Sequence, residues 1–215
     1  MTFKNESDKD RLERIIRNEI LPKLESIVDA QLSEFVDLLL QHSKLKTFAK
    51  DQYLEDSRSF EDGKLFYIMS GIARTFYYEA DSEKPIISRI WKKHDVILDI
   101  SSFQNETERT ESVQMLEEGE LFMVDYSSLK TFLDIFPKTA IFLMCLQAER
   151  EKYNLLYQRL LKLSVEDRVR RYLNHNPTLT NRINKDCIAT HLGVSRSKFS
   201  SAYALYKQDK DSQMA

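Results

Sequence analysis

Apolar positions along the chain change their spacing, and each change marks a new kind of element. Over residues 8–42 they recur at helical intervals: Leu12, Ile15, Ile16 and Ile20, a break at Pro22, then Leu24, Ile27, Val28, Phe35, Val36, Leu39 and Leu40. This predicts packing helices within 1–42. From about 43 to 126 the period falls towards two. The runs L-F-Y-I-M (65–69), A-R-T-F-Y-Y (73–78), P-I-I-S-R-I-W (85–91), S-V-Q-M-L (112–116) and L-F-M-V-D-Y (121–126) are short and rich in β-branched or aromatic residues. Turn-forming groups separate them: E-D-G at 61–63, Asp81-Ser82 and E-E-G at 117–119. Many short strands at near-regular intervals predict a β-sandwich or jelly roll over 43–126 rather than a parallel sheet.

Helical spacing returns at residue 127. A short helix over 127–136 would open at Ser127 or Ser128, and Pro137 suits the first residue of a long helix, where its missing N–H is not needed. Along that helix Phe142, Leu146, Glu149, Tyr153, Leu156, Leu160 and Leu163 alternate four and three apart, an a/d seam with one charged member. The seam predicts a parallel homodimer held by residues 127–163; the same spacing would also serve packing within one chain. Ser164 then starts S-V-E-D-R-V-R-R-Y-L, with Asp167 placed as in a capping box and Val165, Val169, Tyr172 and Leu173 on the inner face.

The stretch K-D-C-I-A-T-H-L-G-V-S-R-S-K-F-S-S-A-Y-A (185–204) has the pattern of a helix-turn-helix. Ile188 and Leu192 lie one turn apart on a first helix, and Ala189 is small where a second helix must cross closely. Gly193 can take the positive φ that stops the first helix. Val194 plugs the turn, and Ser195 is placed to N-cap a second helix whose inward face is Phe199 and Ala202. Such a unit exists mainly to set its second helix in a DNA groove; an ordinary helical hairpin is the plainer alternative. On the second helix Arg196, Ser197, Lys198, Ser200, Ser201 and Tyr203 would be exposed. Together with Ser195 the first five are the candidate contacts to double-stranded DNA, the two cations meeting phosphates or guanine edges.

Charge supports this reading. The net charge of −2 hides a split: residues 164–207 carry eight Lys or Arg against three acids, whereas residues 1–163 sum to −6. A basic C-terminal module on an acidic body is the footprint of a DNA-binding domain carried by a sensor or dimerisation domain. Other chemistries find little support. The four histidines (42, 94, 175, 191) form no H-x-H or H-x-x-x-H pair, and Cys145 and Cys187 are far apart, so no metal site or cofactor is expected. A cupin-like enzyme would need clustered ligands, and His94 is alone in the roll. Four glycines in all leave scarcely any material for a phosphate loop, and no G-x-S-x-G occurs. The sequence shows no signal core and no apolar run approaching the roughly 18 residues that cross a bilayer, so a cytoplasmic protein with reduced thiols is expected.

The order of helix, β roll, long helix and helix-turn-helix resembles the Crp/Fnr family of bacterial regulators over nearly the whole chain. L-F-Y-I-M-S-G-I-A-R-T-F-Y (65–77) is similar to the family's strand–turn–strand signature, with Gly71 in the turn, and I-A-T-H-L-G-V-S-R (188–196) to its helix-turn-helix. The N-H-N-P link at 174–177 resembles the Bacteroidetes-type branch. The resemblance implies an α+β architecture: N-terminal helices (1–42), a double-stranded β-helix (jelly roll) sensor domain like those that bind cyclic nucleotides (43–126), a short helix and long dimerisation helix (127–163) and a helix-turn-helix DNA-binding domain (164–215). It implies a homodimeric, non-enzymatic transcription regulator.

Two departures from the family pattern narrow that implication. The family's phosphate cassette opens with Gly-Glu and closes with Arg-Ser/Thr. The segment 94–113 lies over it without a gap, placing Asp99, Arg109 and Thr110 at ligand-binding positions. Leu98, however, stands for the Gly, bulky where backbone must approach phosphate, and Asp99 is a methylene shorter than the Glu. Glu111 follows where the family has a small residue, and Arg109 could equally form a structural ion pair with Asp99 or Glu111. The cassette is therefore expected to be degenerate, with another small-molecule effector or none. In the reader, Ser197 and Ser201 stand where the family carries an acid or polar group and a base-contacting Arg. Hydroxyls discriminate weakly between bases, which motivates the alternative of a small-ligand sensor or dimeric interaction protein that has lost specific DNA binding.

Overall fold

The computed structural model describes residues 8–24, 32–57, 59–80 and 84–214. Of the expected features, Ile27 and Val28 and the turn at Asp81-Ser82 lie outside the described residues. The N-terminal helices are α1 (Asp8–Ile15), continued by a π turn (Ile16–Ile20) and a 3-10 turn (Leu21–Lys23) that Pro22 opens, and α2 (Leu32–His42).

Among the described residues eight strands follow: β1 (Ser43–Phe48), β2 (Tyr53–Glu55), β3 (Lys64–Ile68), β4 (Ile72–Tyr77), β5 (Ile86–Trp91), β6 (Val96–Ile97), β7 (Ser112–Glu117) and β8 (Gly119–Asp125). They pair antiparallel as two sheets, β1-β8-β3-β6 and β2-β7-β4-β5. Consecutive β3 and β4 belong to opposite sheets, so the turn between them must cross the roll. Gly71 makes this possible: its φ is +90°, and a Cβ there would meet the Gly119 Cα at 2.8 Å. Phe66, Ile68, Met115 and Leu121 interdigitate between the sheets, all nearly or fully buried. The outer face of the first sheet is covered by α2 and α4 (Tyr126–Ile135), through Phe35, Val36 and Phe132 against Leu65, Phe122 and Val124. The opening of α4 differs from expectation. It starts at Tyr126 after Asp125, with no side-chain cap, because Tyr126 is buried and its N–H donates to the Gly63 carbonyl.

Pro137 opens a 3-10 turn (Pro137–Thr139) that feeds α5 (Ala140–Leu161). Ser164 caps α6 (Val165–His175): its hydroxyl accepts from the Asp167 N–H at 3.2 Å and donates to the Asp167 carboxylate at 2.9 Å. Then come α7 (Leu179–Arg182), α8 (Lys185–His191) and α9 (Arg196–Met214). A further apolar core joins these C-terminal helices to the roll. Ile72, Phe76, Ile87 and Ile90 of β4 and β5 pack with Val169, Leu173, Ile188, Leu192 and Phe199. Burying side chains of this size contributes about 1.5–3 kcal/mol each, so the helix-turn-helix shares its core with the second sheet of the roll.

Candidate nucleic-acid interface and effector cassette

The helix-turn-helix forms as its residue types dictate. Ile188, Leu192 and Phe199 have no exposed surface, and Ala189 and Ala202 are 2% and 3% exposed. Gly193 has φ +63°, and the Lys198 N–H donates to the Ser195 hydroxyl at 3.4 Å, a long N-cap bond at the start of α9. Ser195, Arg196, Ser197, Lys198, Ser200 and Ser201 are all exposed on one end of α9. Four have side chains committed within the chain: Arg196 pairs with Asp186 in the first turn of α8, the Ser195 and Ser197 hydroxyls share a hydrogen bond at 3.3 Å, and the Ser201 hydroxyl donates to the Ser197 carbonyl at 3.2 Å. Tyr203, expected to be exposed, is half-buried; it stacks on Phe199 and receives Lys185 over its ring at 4.5 Å. Arg168 of α6 ties the unit to the long helix, donating to the carbonyls of Leu192, Leu161 and Leu163 at 2.9, 2.6 and 3.1 Å.

The cassette is closed. Asp99 caps α3 (Ile100–Asn105), its carboxylate accepting the Ser102 N–H at 3.0 Å, so the side chain expected to hold a ligand serves the helix start. Arg109 is 3% exposed. Its Nε and Nη2 both donate to the Asp56 carbonyl, at 3.2 and 2.9 Å, and its charge faces Glu55 at 3.7 Å. The ion-pair partner is thus neither Asp99 nor Glu111, as the sequence suggested, but a buried acid on β2; Glu111 faces Arg150 instead, at 3.9 Å. Burial pushes the Glu55 carboxyl up to about 7, against the pull of Arg109 and the Lys64 N–H that donates to it. Thr110 is exposed, and Leu98 is buried. The gap lined by Glu55, Asp99, Arg109 and Arg150 is about 20 Å³, room for a water but not for a nucleotide. Glu55 carries no sequence signal beyond its inward position on a three-residue strand.

The long helix turns its expected seam inward. Phe142 and Leu146 pack against the core of the roll, and Leu160 against the shared core. Tyr153 lies over Arg89, whose guanidinium carbon is 4.2 Å from the ring centroid. Leu163 is half-buried, and of the apolar seam positions only Leu156 is largely exposed, at 51%. The outward face carries Ile141, Met144, Cys145, Ala148 and Leu155. The first four recur at threes and fours and Leu155 follows a heptad on, so two apolar stripes share one helix and spacing alone did not say which faced out. Sequence reasoning also missed His191, which has no exposed surface and joins the helix-turn-helix to the roll through the Ile87 carbonyl. Its position one turn from Cys187 on the apolar face of α8 was the available signal.

No protein-family model matches the chain, and no curated protein matches it. Solved structures do. A protein of Eubacterium rectale assigned to the Crp/Fnr family of transcriptional regulators superposes with a TM-score of 0.68 at 15% identity, covering 86% of this chain and 87% of that one. FixK2 from Bradyrhizobium japonicum gives 0.67 at 15% identity, over 78% and 86%. CLP from Xanthomonas campestris, a regulator responsive to cyclic di-GMP, gives 0.62 at 18% identity, over 83% and 93%. The chain therefore has the fold of the Crp/Fnr regulators, a β-roll domain followed by a C-terminal helix-turn-helix, as the sequence led one to expect. Among the described residues, no group of three or more His, Cys, Asp or Glu could hold a metal ion, and no helix is long and apolar enough to cross a membrane.

Proposed function

We propose that this protein is a non-enzymatic, cytoplasmic transcription regulator of the Crp/Fnr type that binds double-stranded DNA as a homodimer. The observation that carries the reading is the exposed end of α9, where two cations and four hydroxyls (Arg196, Lys198, Ser195, Ser197, Ser200 and Ser201) project from a helix whose other face is fixed by Phe199 and Ala202. The domain around it is net positive, so phosphate contacts supply affinity. Base readout rests on Arg196 once Asp186 releases it. The dimer forms along α5 through Ile141, Met144, Ala148 and Leu155, the outward stripe, with Leu156 at its margin. The cassette of Asp99, Arg109 and Thr110 is degenerate: a backbone carbonyl and a buried acid already occupy the surroundings of its cation.

The test is a mobility-shift titration of the full chain against the DNA upstream of its own gene. Retardation that weakens steeply with salt is expected. No retardation at low salt would overturn the reading and favour a sensor or dimeric interaction protein without DNA recognition. Calorimetry with cyclic AMP should show no saturable heat; micromolar binding would refute the closed cassette.

A further inference from the structure

Past the helix-turn-helix, α9 runs on to Met214 and carries cations along one flank. Arg196, Tyr203, Lys207 and Lys210 recur at i, i+7, i+11 and i+14, one side of a helix. Ser197, Ser201, Ala204 and Gln208, all exposed, form the uncharged ridge beside it, and Lys198 falls on the far side of that ridge. Lys185, the first residue of α8, joins the flank from the neighbouring helix. Its Nζ lies 4.5 Å from the ring centroid of Tyr203, and that of Lys207 lies 5.5 Å from the same ring. Lys210 Nζ lies 5.9 Å from the ring centroid of Tyr206.

This flank differs from an ordinary solvated face in three ways. The rings beneath it are stacked, Phe199 on Tyr203 at 6.0 Å and Tyr203 on Tyr206 at 6.4 Å, and the Tyr203 hydroxyl donates to Thr180 Oγ1 at 3.4 Å. A fixed ring face attracts an ammonium and narrows the positions it samples. No acid neutralises the three lysines: among the described residues Lys185, Lys207 and Lys210 have neither a hydrogen-bond nor an ion-pair partner. Asp209, the acid between Lys207 and Lys210, is turned to α6 and held by Arg170 at 3.1 Å, and Asp186 is taken up by Arg196. The helix dipole does not account for the lysines either, since the last turn of α9 holds no basic residue. From Arg196 to Lys210 the flank runs roughly 21 Å. Each DNA strand carries one charge per ~3.4 Å of axis, so a run of this length follows several phosphates.

We propose that this flank tracks the DNA backbone: Lys185, Lys207 and Lys210 hold successive phosphates of one strand, beyond the bases that the start of α9 reaches, while Lys198 faces the other strand. Tyr203 and Tyr206 are positioning residues that hold the ammoniums in line. The partner is duplex DNA rather than a small anion, because the cations are strung along a helix instead of gathered round a cavity. The surface rests on the reading of the chain as a DNA-binding regulator, and it lengthens the contact with each half-site towards Lys210.

The full chain is titrated by mobility shift, at salt concentrations from about 0.05 to 0.2 M, with the duplex upstream of its own gene and with a random-sequence duplex of equal length. Each of Lys185→Gln, Lys207→Gln and Lys210→Gln should lower the slope of log affinity against log salt by about one, and the triple variant by about three, on both duplexes. Near 0.15 M salt the affinity should fall about fivefold per ammonium. Lys44→Gln removes the same charge from an exposed position on β1 and should leave the slope at the parent value. Tyr203→Leu should lower the slope, and Tyr203→Phe, which keeps the ring, should not; a helix merely weakened by leucine would lower the melting midpoint without moving the slope. Retardation with an unchanged slope in the triple variant overturns the surface and leaves the regulator reading standing. An equal drop in Lys44→Gln overturns it as well, because net charge alone would then be at work. A parent slope in Tyr203→Leu overturns the positioning role of the ring. No retardation of the parent at low salt overturns the surface together with the regulator reading.

Discussion

Arg109 and Arg196 are both placed by their motifs to meet a phosphate, yet their surroundings are opposite. Arg109 is 3% exposed, two of its nitrogens are held by one carbonyl, and Glu55 lies 3.7 Å away. Arg196 is exposed, and its partner Asp186 is exposed too. Removing one member of a buried pair strands a charge at a cost of several kcal/mol, whereas an exposed pair contributes about 0–1 kcal/mol. An incoming phosphate can therefore displace Asp186 from Arg196 cheaply, but it cannot displace Glu55 and the Asp56 carbonyl from Arg109. A motif says which side chain is available; the partners already around it decide whether it is free to act.

The sharpest way to break this contrast is to truncate both arginines. Arg109→Ala should destabilise the chain by about 3–5 kcal/mol, seen as a melting midpoint lower by about 10 °C. Arg196→Ala should cost under about 1 kcal/mol. Equal losses would mean that the Arg109 pair is no more structural than the surface one.

A second test concerns the joint between the two regions. Burial holds His191 down to about 4, from an ordinary value of 6.5. The groups facing it are the phenols of Tyr153, Tyr157 and Tyr172, with Arg89 nearby. The unfolded chain takes up this proton below about pH 6.5 and the folded chain only near pH 4, so stability falls as pH drops through that window. The full loss is about 3 kcal/mol. Glu55, held up near 7, takes up its proton over the same range and offsets this loss in the parent, so the His191 share is read as the difference in pH dependence between the parent and His191→Gln in denaturant melts at pH 7 and pH 5, about 2 kcal/mol. An equal pH dependence in that variant would put the acid sensitivity elsewhere.

How much of this was legible from the sequence follows the same divide. Ile188, Leu192, Phe199 and Ala202 were readable because a helix-turn-helix is a local unit whose spacing fixes its own core. The strands at 64–77 and 112–125 were readable from alternation. The inward turn of Phe142 and Leu146 was not, because α5 carries two apolar stripes and only the tertiary fold selects between them. Glu55 was hidden for a related reason: it lies far in sequence from Arg109, and a buried acid beside a buried cation leaves no periodic trace. His191 was visible as a histidine on an apolar face, but its docking against Ile87 is a long-range contact that no local pattern encodes.

DNA affinity gives a third, smaller test. Asp186→Asn releases Arg196 and removes an acid facing the polyanion, so binding should tighten severalfold. Arg196→Ala should weaken it by about 1–3 kcal/mol if the guanidinium reads a base, and Lys198→Ala should lower the salt slope by about one if the ammonium meets a phosphate. Mobility shifts at several salt concentrations distinguish these. Unchanged affinity in Asp186→Asn would show that the surface pair never competes with DNA.

The smallest effect belongs to Ser195, where structure and contact can be separated on one residue. Its hydroxyl accepts the Lys198 N–H at 3.4 Å, a long bond, so Ser195→Ala should cost about 0.5–1 kcal/mol, the low end for an N-cap. Alanine alone would confound a weakened helix start with a lost DNA contact. Ser195→Asp resolves this, because aspartate caps as well as serine and its charge suits the helix N-terminus. The same charge faces the polyanion from an exposed position. Thermal melts should therefore place Ser195→Asp at or above the parent and Ser195→Ala below it, while mobility shifts place Ser195→Asp last. If Ser195→Asp binds DNA as well as the parent, the start of α9 does not face the phosphates, and the contact surface must lie further along the helix, towards Ser201.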